Sequence, residues 1–220
     1  MKKIYGPGNP FGIKGYTLIE FMVSSFVFLG VLTLTYFGWS ATSKNFDNLE
    51  SNVYTRQYAK LLSDHLQRDV ASANYVYAGR TVTLKGHTYN LPATGTTGSE
   101  LLIAIPENGN TGSITYTIVG YYPVRNSKDP VNPNSYKLIR QEVKNVTPAT
   151  ADSPPTVNFA AIPSASVSER IAADFIDISQ FTIGENSGSI KAYIATAKKE
   201  KSSSMTDKTT LNLTVMMRNK

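Results

Sequence analysis

The sequence contains no cysteine and only two histidines among its 220 residues. Without cysteine, the chain can form no disulfide and has no thiol for catalysis or metal binding. His65 and His87 are too few and too far apart in the sequence to make a zinc site on their own. A nucleophile elbow, a phosphate-binding loop and a nucleotide-binding fingerprint are also absent. We therefore expect a protein that is not an enzyme and binds no metal or cofactor.

Asp174 and Asp177 could in principle ligate calcium. However, two carboxylates without a glycine-turned loop are more simply interpreted as solvated charges on the surface.

Acidic residues are missing from the first fifteen positions, where Lys2, Lys3 and Lys14 precede Gly15. Gly6, Pro7, Gly8 and Pro10 disfavour a stable helix there. By the positive-inside rule, these lysines favour a cytoplasmic N-terminus and an exported C-terminal body.

A long uncharged run follows this segment. Phe21 to Trp39 are 19 consecutive residues without charge, enough to cross a bilayer as a helix. Glu20 lies at the edge of this run, where a carboxylate costs about 1 to 3 kcal/mol. The pattern predicts a membrane helix whose acidic residue needs a compensating partner.

The basic segment, Gly15, the run Tyr16-Thr17-Leu18-Ile19-Glu20 and the apolar helix together resemble the class III signal of type IV prepilins and type II secretion pseudopilins. The resemblance implies cleavage by a prepilin peptidase between Gly15 and Tyr16, and N-methylation of Tyr16. It places Glu20 fifth in the mature chain. It also implies as partners other pilins or pseudopilins in a filament and an inner-membrane assembly platform.

A physical role for Glu20 follows from this assembly. In a filament, its carboxylate can pair with the α-amino group of Tyr16 in a neighbouring subunit, in a core of low dielectric constant. The alternative is an ordinary single-pass anchor in which Glu20 extends to the lipid headgroups.

Beyond Trp39 the pattern becomes amphipathic. Apolar residues recur at spacings of three and four, and one face is expected to pack on a head domain. These residues are Phe46, Leu49, Val53, Tyr58, Leu61, Leu62, Leu66, Val70 and Ala73. Gly79 is a natural helix terminator, so the predicted helix spans Thr17 to Ala78.

The rest of the chain is rich in strand-forming residues. The predicted strands are Thr81–Lys85, Thr88–Leu91, Leu101–Ile105, Ser113–Val124, Ser135–Val143, Ile176–Ile183, Ile190–Thr196 and Thr209–Arg218. Predicted loops are Pro106–Gly112, Ser127–Asn134, Thr147–Pro163 and Ala197–Asp207. The expected fold class is α+β: a type IV pilin-like fold with a long N-terminal helix against an antiparallel sheet.

Three segments of the C-terminal half, 136–141, 175–181 and 213–219, resemble the larger minor pilins of the W type and pseudopilins of the J type. The resemblance implies a minor subunit near a filament tip. The expected organisation is a leader (1–15), a transmembrane and filament-core helix (16–40), and an amphipathic helix with a β-sheet head (41–220). The expected location is the bacterial inner membrane before assembly, and a pilus or pseudopilus afterwards.

Two alternative functions remain open. Lys198, Lys199 and Lys201 could make weak DNA contacts, which would suit a DNA-uptake or adhesion receptor on the same scaffold. A solvated hairpin tip explains these lysines more simply. The chain could also be an unrelated single-pass surface protein with an uncut N-terminus.

Overall fold

The computed structural model describes residues 17–108, 114–127, 129, 132–149, 155–186, 188–199 and 206–217. The chain divides into two compact units, Met1–Phe46 and Asp47–Lys220. One helix, α1 (Leu18–Ser72), contributes to both. The described residues thus have the expected layout of a long N-terminal apolar helix followed by an antiparallel sheet.

The described strands all follow α1 in the chain. They are β1 (Tyr75–Val76), β2 (Thr81–Leu84), β3 (His87–Asn90), β4 (Leu101–Asn108), β5 (Ile114–Arg125), β6 (Ser135–Val146), β7 (Val167–Asp177), β8 (Thr182–Asn186), β9 (Ser189–Lys199) and β10 (Thr206–Met216). Short 3-10 turns occur at Phe159–Ala161, Ser164–Ser166 and Ile178–Gln180.

Eight strands form one sheet. Seven of them follow the order β1-β4-β5-β6-β7-β9-β10. The eighth, β8, pairs with β9 along the same side of β9 as β7 does. The pairings between them are antiparallel. Strand β10 is therefore one edge of this sheet, and the two-residue β1 lies at the other.

The predicted end of the helix is wrong by six residues. After Ser72, the backbone N–H of Asn74 donates to the carbonyl of Ala104, and that of Tyr77 donates to Leu102. Aromatic and β-branched residues at 75–77 favour a strand, and β4 supplies its partner. Gly79 does adopt a left-handed conformation, with φ of 64°, but it turns the chain between strands instead of ending the helix.

Two layers cover the sheet in Asp47–Lys220. The C-terminal part of α1 packs on one face through Leu62, Leu66, Val70 and Ala73. The β2–β3 hairpin packs on the other, with Tyr89 fully buried. A Cβ at Gly120 would overlap the Tyr89 hydroxyl, so glycine is required where the hairpin meets β5.

The helix face that packs on the sheet agrees with the predicted one at Tyr58, Leu62, Leu66, Val70 and Ala73 and differs from it elsewhere. Ser51, Thr55, Ala59 and Asp69 are buried, whereas Phe46, Leu49, Val53 and Leu61 are exposed. The spacing of the apolar residues therefore mixed two faces of α1. Two of the buried polar residues, Thr55 and Asp69, are packed against the sheet because they make hydrogen bonds to it.

Polar contacts fix where α1 crosses the sheet. The Thr196 hydroxyl on β9 donates to the Thr55 carbonyl at 2.9 Å, and Thr209 on β10 lies 3.3 Å from the Thr55 hydroxyl. Further along the helix, Asp69 accepts from Arg140 Nε on β6 at 2.7 Å and from the Tyr121 hydroxyl on β5 at 2.5 Å. The helix consequently crosses from the β10 edge towards β5.

Several predicted strand bounds need correction. The predicted strand Ile176–Ile183 is divided into β7 and β8 by the turn at Ile178–Gln180, where the Asp177 carboxylate accepts the Ser179 N–H. Strand β4 continues through Pro106 to Asn108, inside the predicted loop Pro106–Gly112. Strand β7 begins at Val167, and β1 was not predicted.

The predicted loop Ala197–Asp207 is also wrong at both ends. Strand β9 extends to Lys199 and β10 begins at Thr206. The intervening residues 200–205 lie outside the described part of the chain, as do 109–112, 128, 130, 131 and 150–154 of the other predicted loops. Ser113 and Arg218, at the ends of two predicted strands, also lie outside it.

Candidate functional site: the N-terminal end of α1

The first turn of α1 contains a reciprocal pair of hydrogen bonds between Thr17 and Glu20. Glu20 Oε2 accepts the Thr17 backbone N–H at 2.9 Å and the Thr17 hydroxyl at 3.0 Å. The Glu20 backbone N–H in turn donates to the Thr17 hydroxyl at 3.3 Å. This arrangement is a capping box, in which two backbone donors at a helix start are satisfied locally.

The capping box gives Glu20 a partner that sequence reasoning missed. A Thr-x-x-Glu spacing before an apolar run is the signal that could have identified it. Because both acceptor contacts are on Oε2, the other carboxylate oxygen can accept from a further donor. Negative charge is also favoured at this end of the helix by the helix dipole.

The apolar run that follows the cap is exposed along its whole length. Large apolar side chains from Leu18 to Trp39 are exposed, Phe26 by 82%. The helix is long and apolar enough to cross a membrane, judged by length and composition. A surface of this kind is too apolar to remain in water, so it needs lipid or a protein partner.

Hydroxyl groups within this run are satisfied by the helix itself. Ser25, Thr33 and Thr35 donate to the carbonyls four residues earlier, each at 2.8 Å. Such bonds remove most of the cost of placing a hydroxyl in an apolar environment. The run is thus compatible with lipid or with a packed helix bundle.

A second exposed apolar surface lies on α1 within Asp47–Lys220. Leu49, Val53 and Leu61 are 62%, 61% and 41% exposed. Thr55, which contacts the sheet, follows Val53 by two residues, about 200° around the helix. Leu49 and Leu61 lie six residues before and after Thr55, about 120° from it on either side, so all three side chains are turned away from the sheet, and we refer to them as the outer stripe.

The structure describes only part of the other predicted site residues. Gly15, Tyr16 and Lys201 lie outside the described residues, as does the side chain of Lys199. Lys198 lies on β9, with its Nζ 4.8 Å from the centre of the Tyr54 ring and 5.7 Å from that of Phe175. Its ammonium group therefore has cation–π contacts within its own chain.

An aromatic cluster surrounds Lys198, and sequence reasoning did not identify it. The Tyr58 ring lies 5.8 Å from the Phe175 ring and 6.4 Å from the Tyr54 ring. Burial and the nearby negative charge of Asp174 raise the pKa of Tyr58. Phe175 adopts a φ of 57°, which is uncommon for a bulky residue.

The expectation that Asp174 and Asp177 are solvated is wrong, because both are buried. Asp177 accepts from Ser179 and pairs with Lys208 at 3.1 Å. In the part of the chain that the structure describes, no group of three or more histidine or acidic side chains is placed to hold a metal ion.

No protein-family model, curated protein or solved structure matches this chain.

Proposed function

We propose that this chain is a minor pilin or pseudopilin: a prepilin that is cut after Gly15 and assembles through α1 into a type IV pilus-like filament. The observation that carries the proposal is a membrane-length apolar helix, exposed on all sides, with an acidic residue five positions after Gly15. The proposed partners are a prepilin peptidase, an inner-membrane platform and other pilins.

The capping box defines what Glu20 does before assembly. It satisfies the Thr17 N–H of its own helix while its negative charge has no cationic partner among the described residues. After cleavage, the α-ammonium group of Tyr16 in a neighbour supplies that cation. Burial in the filament then strengthens the attraction because the surrounding dielectric constant falls. Burying either charge without the other is costly, which favours correct register between subunits.

The outer stripe supports a second part of the proposal. Leu49, Val53 and Leu61 form an exposed apolar surface of α1 within Asp47–Lys220, on the side opposite the sheet. A plain membrane anchor does not require this surface, because the segment lies outside the 19-residue uncharged run. A neighbouring α1 in a helical bundle would cover it.

The test separates the capping role of Glu20 from its charge. Glutamine can replace glutamate in a capping box but has no charge. We therefore expect Glu20→Gln to be cleaved after Gly15 and to remain helical, yet to enter filaments poorly, like Glu20→Ala. Thr17→Ser keeps both the cap and the charge and serves as the matched control.

The measurement combines mass spectrometry of the N-terminus with immunoblotting of sheared filaments. Incorporation of Glu20→Gln at the level of the wild-type chain would rule out charge pairing as the role of Glu20.

A second candidate function is an ordinary membrane-anchored surface protein. The capping box favours this alternative, because the Glu20 carboxylate accepts two hydrogen bonds within its own chain and needs no neighbouring subunit for them. An intact N-terminus containing Lys2 and Lys14, found by mass spectrometry in cells with an active prepilin peptidase, would establish this alternative and eliminate the filament proposal.

The receptor alternative has less support. Of its three lysines, Lys198 is held against Tyr54 and Phe175. Salt-dependent DNA binding that is lost when Lys198, Lys199 and Lys201 are changed to alanine would restore it.

A further inference from the structure

Strand β10 presents an open edge of the large sheet. The Met217 N–H donates to the Gly188 carbonyl at 3.0 Å, which continues the β9–β10 register. In an antiparallel ladder, residues alternate between bonding to the partner strand and facing away from it. Odd-numbered residues of β10 therefore bond to β9. The backbone N–H and C=O of Lys208, Thr210, Asn212, Thr214 and Met216 face the open edge.

No described segment pairs with this edge. The opposite edge is protected, because residues 74–77 cover β4 at Leu102–Ala104 and Pro106 removes one donor. Natural sheets usually block long edges with proline, bulges or short strands. β10 has eleven residues and no proline, and its pairing with β9 shows no bulge; its two charged residues, Asp207 and Lys208, lie at one end.

We propose that the open edge of β10 is a strand-addition site for an extended segment of a different polypeptide. An extended backbone supplies the donors and acceptors that these residues lack, with side-chain alternation giving specificity. On the α1 side of the sheet, Leu211 and Leu213 are only partly buried. On the other side, Thr210, Asn212 and Thr214 are exposed. The added strand therefore alternates apolar residues with uncharged polar residues.

A second copy of this chain is a poor occupant. Antiparallel self-pairing of β10 requires a two-fold axis normal to the sheet, which makes α1 of the two copies run in opposite directions. In the proposed filament, the parts of α1 that pack on the sheet run the same way in neighbouring subunits; this step depends on the proposed function. A two-fold axis parallel to the strand would pair the two copies of β10 in parallel and turn one sheet over. The face that carries Leu211 in one copy would then continue into the face that carries Thr210 in the other.

The test uses the full-length chain in detergent micelles and a labelled synthetic peptide with the β10 sequence TDKTTLNLTVM. The free peptide has the required alternation and carries no helix. A peptide of the same composition with its apolar residues grouped together is the control. Fluorescence anisotropy measures binding, and hydrogen exchange measures protection of the β10 amides.

We expect the alternating peptide to bind and to slow exchange at Thr210, Asn212 and Thr214 by about tenfold or more. Asn212→Pro removes an N–H that faces the open edge and leaves the β9 ladder intact. It should abolish peptide binding while retaining the circular dichroism spectrum, whereas Asn212→Thr should bind normally.

Three results would overturn the proposal. They are slow exchange of these amides in the peptide-free chain, equal binding of the control peptide, and unchanged peptide binding by a folded Asn212→Pro chain. If Asn212→Pro does not fold, the exchange measurement on the wild-type chain decides. Self-association that is lost in Asn212→Pro would show that a second copy is the occupant. None of these results depends on cleavage after Gly15, so the two proposals can fail separately.

Discussion

Asp69 and Arg140 form the most buried ion pair of the described residues. Their side chains are 9% and 6% exposed, and Tyr121 donates to the same carboxylate. Glu142 also contacts the guanidinium group. Burial raises the pKa of Glu142. The positive charges of Arg140 and Lys144 lower this pKa by more than burial raises it, so the net shift is downward. Asp69 and Glu142 together compensate the buried charge of Arg140, so removal of Asp69 leaves the guanidinium group with Glu142 alone.

We expect Asp69→Asn to lower the free energy of unfolding by about 1.5 to 3 kcal/mol, because Arg140 loses its charged hydrogen-bond partner on α1 and keeps only Glu142. Urea unfolding followed by circular dichroism measures this change. Asp64→Asn, at an exposed position of the same helix, is the control and should change stability by less than about 0.5 kcal/mol. Equal effects of the two substitutions would show that the pair does not stabilise the fold.

His65 makes stability depend on pH. Burial lowers its pKa below the ordinary 6.5, and the positive charge of Arg170 adds to this, while Asp69 acts in the opposite direction. Below pH 6.5 the unfolded chain binds this proton more readily than the folded chain. The contribution of neutral His65 to stability is therefore lost as the pH falls through 6.5 towards the folded-state pKa.

We expect acidification from pH 7.5 to 5.5 to destabilise the wild-type chain more than His65→Gln. Carboxylates titrate in both chains, so the difference between their urea midpoints isolates the histidine. Parallel decreases in the two midpoints would contradict the assignment.

At the scale of elements, the sequence predicts α1 well where periodicity is strong and poorly where hydrogen bonds to the sheet determine which face is buried. The apolar run and the sheet class follow from composition and spacing. The orientation of the helix on the sheet does not, because Thr55 and Asp69 are buried through contacts with distant strands. For the same reason, the end of α1 depends on β4, which begins almost thirty residues later.

The residues of the candidate site likewise include some that the sequence predicts and some that it does not. The position of Glu20 follows from a local pattern, and its capping box could have been predicted from Thr17. The Lys198 cluster could not, because it joins α1, β7 and β9.

Ala59 tests the revised assignment of the helix face. Ala59 is 3% exposed and lies on the side of α1 that packs on the sheet. We expect Ala59→Leu to cost about 1 to 3 kcal/mol of unfolding free energy through overpacking. Lys60→Leu places the same side chain at the next position, which is exposed, and should have little effect in the same urea unfolding experiment. An Ala59→Leu chain as stable as the wild type would contradict the assignment of Ala59 to the packed face.

At the scale of the whole molecule, the fold contains its own core in Asp47–Lys220 and yet leaves the outer stripe exposed. Burial of these side chains contributes little to the stability of the isolated chain, since Leu49, Val53 and Leu61 are 62%, 61% and 41% exposed. When another molecule covers these side chains, the apolar surface that is still exposed becomes buried. This further burial stabilises the complex by about 25 cal/mol per Å² of apolar surface. Stability and assembly should therefore respond differently to substitutions in the stripe.

The double substitution Leu49→Asp and Val53→Asp tests this separation. We expect the unfolding free energy to fall by only about 1 kcal/mol, from the lower helix propensity of aspartate and the repulsion between carboxylates four residues apart, because neither side chain packs on the sheet. We expect the amount in sheared filaments to fall severalfold, because a neighbouring helix would have to desolvate two carboxylates. Leu49→Met with Val53→Ile keeps the stripe apolar and should assemble normally. Normal assembly of the aspartate variant would leave the stripe without a role in packing and would limit subunit contacts on α1 to the apolar run behind Glu20.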